Sequence, residues 1–170
     1  DLTAGSGGDN IYRKCGQTTP GIPTAGEGLF NQSNIDTNND GIPEHSDKVC
    51  GDLPYVTHNK TITLTEDLGG NMYQVTYQIE VKNLGGANGQ YDLTDAPGFD
   101  NDITINSASF TSNAPGIPGG ILPLLGPWTL ANDEGILAGA THTYAIVVKV
   151  TLDLHVGTGG DNIYRKCGTT

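Results

Sequence analysis

The chain has 170 residues, enough for one domain with a packed core or a small domain plus an extended segment, and sets 8 Lys and Arg against 19 Asp and Glu for a formal charge of −11. That acidity disfavours nucleic acid and anionic membranes as partners and favours cations. Charged residues are only 16%, and 25 Gly with 9 Pro favour short strands and turns over helices, while no apolar run is long enough to form a membrane helix.

The two ends of the chain repeat each other. Asp1–Thr18 (DLTAGSGGDNIYRKCGQT) matches Asp153–Thr170 (DLHVGTGGDNIYRKCGTT) at 14 of 18 positions, at an offset of 152 residues. The mismatches Thr3/His155, Ala4/Val156, Ser6/Thr158 and Gln17/Thr169 are the drift of neighbouring natural repeats. The chain therefore reads as one period of a tandem array plus the start of the next, against the plainer alternative of one subunit with similar ends. It begins without Met or a signal peptide, and is expected to be a window on something longer. Cys15 and Cys167 occupy equivalent positions, which leaves two cysteines per period and predicts one disulfide per repeat in an oxidising, extracellular or cell-surface setting. Cys15 with Cys50 is preferred, because it closes a loop of about 35 residues worth roughly 3–4 kcal/mol. Cys50 with the Cys167 position is the competing pairing, and no CxxC or HxxxH spacing supports zinc.

Residues 1–54 are punctuated by Gly and Pro and read as a connector. Two pieces of it look ordered, the short strand Leu29, Phe30, Asn31, Gln32, Ser33, Asn34, Ile35 and the acidic loop at 36–47 that follows it. In that loop (DTNNDGIPEHSD) oxygen donors fall at Asp36, Asn38, Asp40, Glu44 and Asp47, with Gly41 at the bend and the Ile42 carbonyl after it. Alternate oxygens in a turning loop are what Ca²⁺ requires, and the stretch resembles the calcium loops of dockerin and thrombospondin-type repeats. Asn at the third position and Asp rather than a bidentate Glu at the twelfth imply weak, extracellular-grade affinity; a solvated acidic turn without metal is the alternative.

From Tyr55 the pattern alternates. Thr61–Thr65 offers Ile62 and Leu64 to one face. Met72–Asn83 sends Tyr73, Val75, Tyr77, Ile79 and Val81 one way, and Ala140–Leu154 does the same with Tyr144, Ile146, Val148, Val150, Leu152 and Leu154. Between these lie a turn at 83–89, a short strand QYDLTDA, the strand Asp102–Thr111 with a slip that predicts a bulge, a Gly/Pro loop or irregular edge at 114–127, and a short strand at Trp128–Leu130. Trp128 reads as a core or edge anchor. Seven or so short strands predict an all-β, immunoglobulin-like antiparallel sandwich over 55–154, with 155–170 beginning the next connector.

YQVTYQIEVKNLGGANGQYDLTDAPGF, a Trp-containing strand and LAGATHTYAIVVKVTLD, in that order, resemble the repeated immunoglobulin-like domains of bacterial cell-surface proteins known as domain of unknown function 11. In that family the last strand of the sandwich carries an Asn-containing pattern ahead of an acidic stretch, and here its nearest match, Gly28–Asp36, lies before the domain. The resemblance implies that Leu29–Ile35 completes a neighbouring sandwich, and that this window's own sandwich receives the equivalent strand from the next unit; the alternative is that the strand folds back on its own domain.

Other candidates are weaker. Asp92, Asp95, Asp100 and Asp102 read as solvated loop charges rather than a second cation site. His45, His58, His142 and His155 share no spacing, and no GxSxG, HExxH or phosphate-cradling loop is present, so no enzyme is expected. Asn31-Gln32-Ser33 and Asn59-Lys60-Thr61 fit a glycosylation sequon, and Lys60, Lys82 and Lys149 are the lysines open to isopeptide chemistry, with no spacing to single one out. The leading expectation is a structural repeat of an extracellular bacterial filament or stalk that polymerises with identical or near-identical neighbouring repeats. The runner-up is an adhesin module whose 114–127 loop and Trp128 contact a glycan or host protein.

Overall fold

The computed structural model describes residues 14–154. The two copies of GGDNIYRKCG, apart from Lys14–Gly16, lie outside the described residues, as does Cys167. Among the described residues every regular element is a strand, and no helix is long and apolar enough to cross a membrane. The strands are β1 (Asn31–Ile35), β2 (His45–Val49), β3 (Val56–Gly69), β4 (Met72–Asn83), β5 (Gly89–Asp95), β6 (Ile103–Ser112), β7 (Gly119–Leu122), β8 (Trp128–Ile136) and β9 (Thr141–Leu152). They form a β1-β2 ribbon, a five-stranded sheet in the order β3-β4-β9-β6-β7, and a β5-β8 pair. The fold is an all-β antiparallel sandwich, as the alternation predicted.

The contacts divide the described residues into two units, one holding 14–57, 82–90 and 135–141, the other 58–81, 91–134 and 142–154. The second unit contains most of the apolar core. β9 buries His142, Tyr144, Ile146, Val148 and Val150 on one face, the clean period of two read from its sequence. The inward run stops there, since Leu152 is only half-buried and Leu154 is exposed. In β4, Ile79 and Val81 are buried, whereas Tyr73, Val75 and Tyr77 stay half-buried. β3 is an edge strand, exposed over the last twelve of its fourteen positions, with Ile62, Leu64 and Leu68 among them. β3 and β4 join through Gly70-Asn71, which both take positive φ (61° and 62°), the combination that a two-residue hairpin loop of the right twist demands.

The predicted bulge is present, as a register shift between Ile105 and Ser107 against β9. The Gly/Pro run supplies the edge strand β7, whose Gly119–Leu122 pairs with Thr111–Ala108 of β6. The Trp128 strand is longer than expected, running to Ile136. Trp128 itself is 2% exposed and donates its Nε1–H to the Pro123 carbonyl at 2.8 Å, so it is a core anchor and unavailable as a sugar platform. From β5, the Tyr91 hydroxyl meets the Tyr144 hydroxyl at 2.6 Å and His142 Nδ1 at 2.7 Å, tying the smaller sheet to β9. Burial pushes the ionisation of both tyrosines upward, so this contact stays neutral.

Candidate functional site

The predicted donor strand and the predicted calcium loop are two parts of one hairpin. β1 pairs antiparallel with β2 in the register Asn31↔Val49 through Ile35↔His45, and the Glu44 amide donates to the Ile35 carbonyl at 3.0 Å. Strand structure starts at Asn31; Leu29 and Phe30 precede it, held by Leu29 N–H to the Gly51 carbonyl (2.8 Å) and Phe30 N–H to the Glu27 carbonyl (3.1 Å). The segment thus folds back on its own chain as a hairpin, and it belongs to neither sheet of the sandwich. All ten strand positions are exposed, Ile35 at 59% and Val49 at 62%. β2 was not foreseen, because HSDKV carries no apolar alternation and owes its extended form to pairing with β1.

The hairpin's loop turns back through Asn39 and Gly41, both at positive φ. Its carboxylates are organised by the loop's own amides. Asp36 accepts from the amides of Asn39 (2.6 Å), Gly41 (2.8 Å) and Asn38 (3.2 Å). Asp40 accepts from the Ile42 amide (2.8 Å) and the Asn38 side-chain amide (3.1 Å), while Glu44 accepts from both the amide and hydroxyl of Thr37. The Gly41 amide is the main reason that the Asp36 carboxyl sits below the usual carboxylate range, and the Thr37 amide does the same for Glu44. One oxygen from each of Asp36, Asp40 and Glu44 lies within 4.8 Å of the others, so the three can hold a metal ion. Asn38 lies beside them through its contacts with Asp40, and Ile42 follows at the bend. Asp47 is placed differently from its expected role: it sits in β2 opposite Ser33, accepts from the Lys48 amide, and is not one of that carboxylate group.

Below the hairpin, Cys15 and Cys50 form the preferred disulfide, with Cα atoms 5.8 Å apart. Two carboxylates fasten the Cys15 turn. Asp52 accepts from the Cys15 amide at 2.7 Å, and Glu27, only 1% exposed, accepts from the amides of Gly16 (2.7 Å) and Thr18 (2.5 Å). The Thr18 amide above all holds the Glu27 carboxyl below its ordinary range. A Gly/Pro connector gives no sequence signal for a buried glutamate, and Glu27 was missed.

Asn83 was also missed, since VKNLGG reads as the start of a turn. It is 1% exposed, and its side-chain amide donates to the carbonyls of Ala87 (2.8 Å), Ile136 and Leu137 (both 3.3 Å), while its oxygen accepts from the amides of Tyr55 and Gly85 (both 3.0 Å). Among the acids read as solvated, Asp95 and Asp102 are in fact buried, at 8% and 3%. Asp95 follows Tyr91 and Leu93 at intervals of two and so faces inward with them. Among the described residues these aspartates do not converge on a second metal-holding group. Compared with family models, curated proteins and solved structures, the chain matches none.

Proposed function

We propose that the chain is a structural, non-catalytic repeat unit of an extracellular bacterial filament or surface stalk, in which the β1-β2 hairpin of one repeat adds to the sandwich of its neighbour. The observation that carries this reading is a hairpin with all ten positions exposed, encoded in the same chain as an edge strand, β3, exposed over twelve. An unpaired edge with apolar side chains is a template for strand addition, and a two-stranded ribbon in water is marginal until it packs against a third strand. The 152-residue offset of the terminal repeats fits an identical or near-identical neighbour, and the resemblance of 55–154 to repeated immunoglobulin-like domains supports the architecture.

Calcium at Asp36, Asp40 and Glu44, with Asn38 and the Ile42 carbonyl beside them, would stiffen the hairpin before it docks. The Cys15–Cys50 bond fits an oxidising compartment and would clamp the hairpin's base. Electron microscopy and sedimentation of the chain at rising concentration test the proposal. End-to-end oligomers that vanish when Gln32 and Lys48 are replaced by Pro support it. A monomer at every concentration, from a chain that is folded by circular dichroism and holds calcium, overturns it.

A further inference from the structure

Lys60 in β3 and Asp95 at the end of β5 make a contact with features that a surface ion pair lacks. Nζ and Oδ1 are 2.6 Å apart, and the pair joins the first strand of the five-stranded sheet to the two-stranded one. The Asp95 side chain is 8% exposed and that of Lys60 37%. Nζ lies 4.7 Å from the centre of the Tyr77 ring, and the pair borders a cavity of about 220 Å³ also lined by Pro97, Phe99 and Trp128. Lys60 Nζ donates to Asp95 Oδ1 across this contact. Holding a carboxylate that is 8% exposed beside aromatic and proline side chains carries a desolvation cost that the ion pair must offset. A neutral bond between the same two groups would remove that cost.

We propose that Lys60 and Asp95 are a site of covalent cross-linking and condense to an intramolecular amide. A proton passes from Nζ to the carboxylate across the 2.6 Å contact, leaving a neutral amine beside a neutral acid. The amine lone pair attacks Asp95 Cγ and the N–C bond forms. The Cγ–OH bond then breaks, the hydroxyl leaves as water with a proton given up by the nitrogen, and a secondary amide remains. No oxidant, reductant or further reactant is required, and the fold supplies the proximity that makes an otherwise sluggish condensation intramolecular. The open side of Lys60, whose side chain is 37% exposed, gives the released water a way out. Lys60, one of the lysines open to this chemistry in the sequence, has a buried carboxylate at bonding distance.

Intact-mass spectrometry of the folded, disulfide-bonded chain tests the proposal without any substitution. The expected mass is that of the sequence less the two disulfide hydrogens and less one water molecule, with a protease-resistant peptide pair joining Lys60 to Asp95. Lys60→Arg, which keeps the charge pair but cannot condense, and Asp95→Ala should both regain the full mass. A wild-type chain without the water loss, a loss that persists in Lys60→Arg, or a linked peptide joining Lys60 to a different residue overturns it.

Discussion

Asn83 gives the sharpest test of how the turns around it are held. Replacing it by Ala removes five side-chain hydrogen bonds and leaves the buried Gly85 amide and the Ile136 carbonyl without their partner. Water can replace Asn83 at the Tyr55 amide, because Tyr55 is 38% exposed. Counting only the buried partners, at roughly 1–3 kcal/mol for each polar group left unsatisfied and with partial relaxation, Asn83→Ala should cost about 3 kcal/mol. In a chain of this size that corresponds to a fall in Tm of roughly 6–12 °C. Asn83→Asp is the companion. It keeps the acceptor but turns a carboxylate toward the carbonyls of Ala87, Ile136 and Leu137, so its folded pKa rises above the unfolded value. The sign follows: the protonated form is favoured in the folded state, so the variant's deficit narrows as pH falls and widens as pH rises through that raised pKa. Urea denaturation at neutral and at mildly acidic pH measures both effects. An Asn83→Ala chain within about 0.5 kcal/mol of the wild type would refute the reasoning and leave the turns to backbone pairing alone.

Further expectations concern the connector. Cys50→Ser, or reduction of the wild type, should destabilise residues 14–54 by about 4 kcal/mol, from a closed loop with a sequence separation of 35, measured as faster amide exchange there in reducing buffer. Glu27 has a folded pKa below its ordinary 4.5, so the stability it contributes is present above that value and lost as pH falls through the folded one. The amides of Gly16 and Thr18 should lose exchange protection over that acidic window, and Glu27→Gln should abolish the pH dependence. If the acidic loop binds calcium at extracellular-grade affinity, millimolar calcium should stabilise the hairpin by about 1 kcal/mol, and Asp36→Asn with Asp40→Asn should remove the shift. Calorimetric titration that finds no calcium-dependent heat in the wild type would discard that role. Tyr91→Phe breaks the contacts to Tyr144 and His142 and should cost about 1–3 kcal/mol by thermal melting.

The parts of this structure legible beforehand are those in which one local rule decides the outcome. β4 and β9 carry an uninterrupted period of two, the Ile105–Ser107 bulge shows as a slip in the alternation of β6, and the shorter loop favoured Cys15 over the competing Cys167 position as the partner of Cys50. What stayed hidden depends on partners distant in the chain. His45–Val49 is extended because β1 lies opposite, and Gly119–Leu122 because β6 does. Asn83 and Glu27 are polar residues in turn-rich stretches, where the expectation is solvent, yet loops separated from them in sequence close over both. Asp95 is the instructive intermediate. Its parity with Tyr91 and Leu93 pointed inward all along, but grouping it with neighbouring aspartates by composition concealed that.

The order of the large sheet also has a mechanical consequence. β4 runs between β3 and β9, and its last residue meets the start of β9 (Asn83 N–H to the Ala140 carbonyl, 3.0 Å) while its first turn meets the end of β9 (Leu152 N–H to the Asn71 carbonyl, 2.9 Å). β3 and β9 therefore point the same way, one starting at the end of the sheet where the other has yet to finish. Tension applied through His58 and Leu152, both in the second unit, runs along the strands over a span of about 30 Å, set by residues 72–81 of β4. Such a pull loads the ladders on both sides of β4 in shear, so their hydrogen bonds must fail together and not one after another as a zipper opens. A sheet wired in this way resists extension far better than its thermodynamic stability alone would indicate.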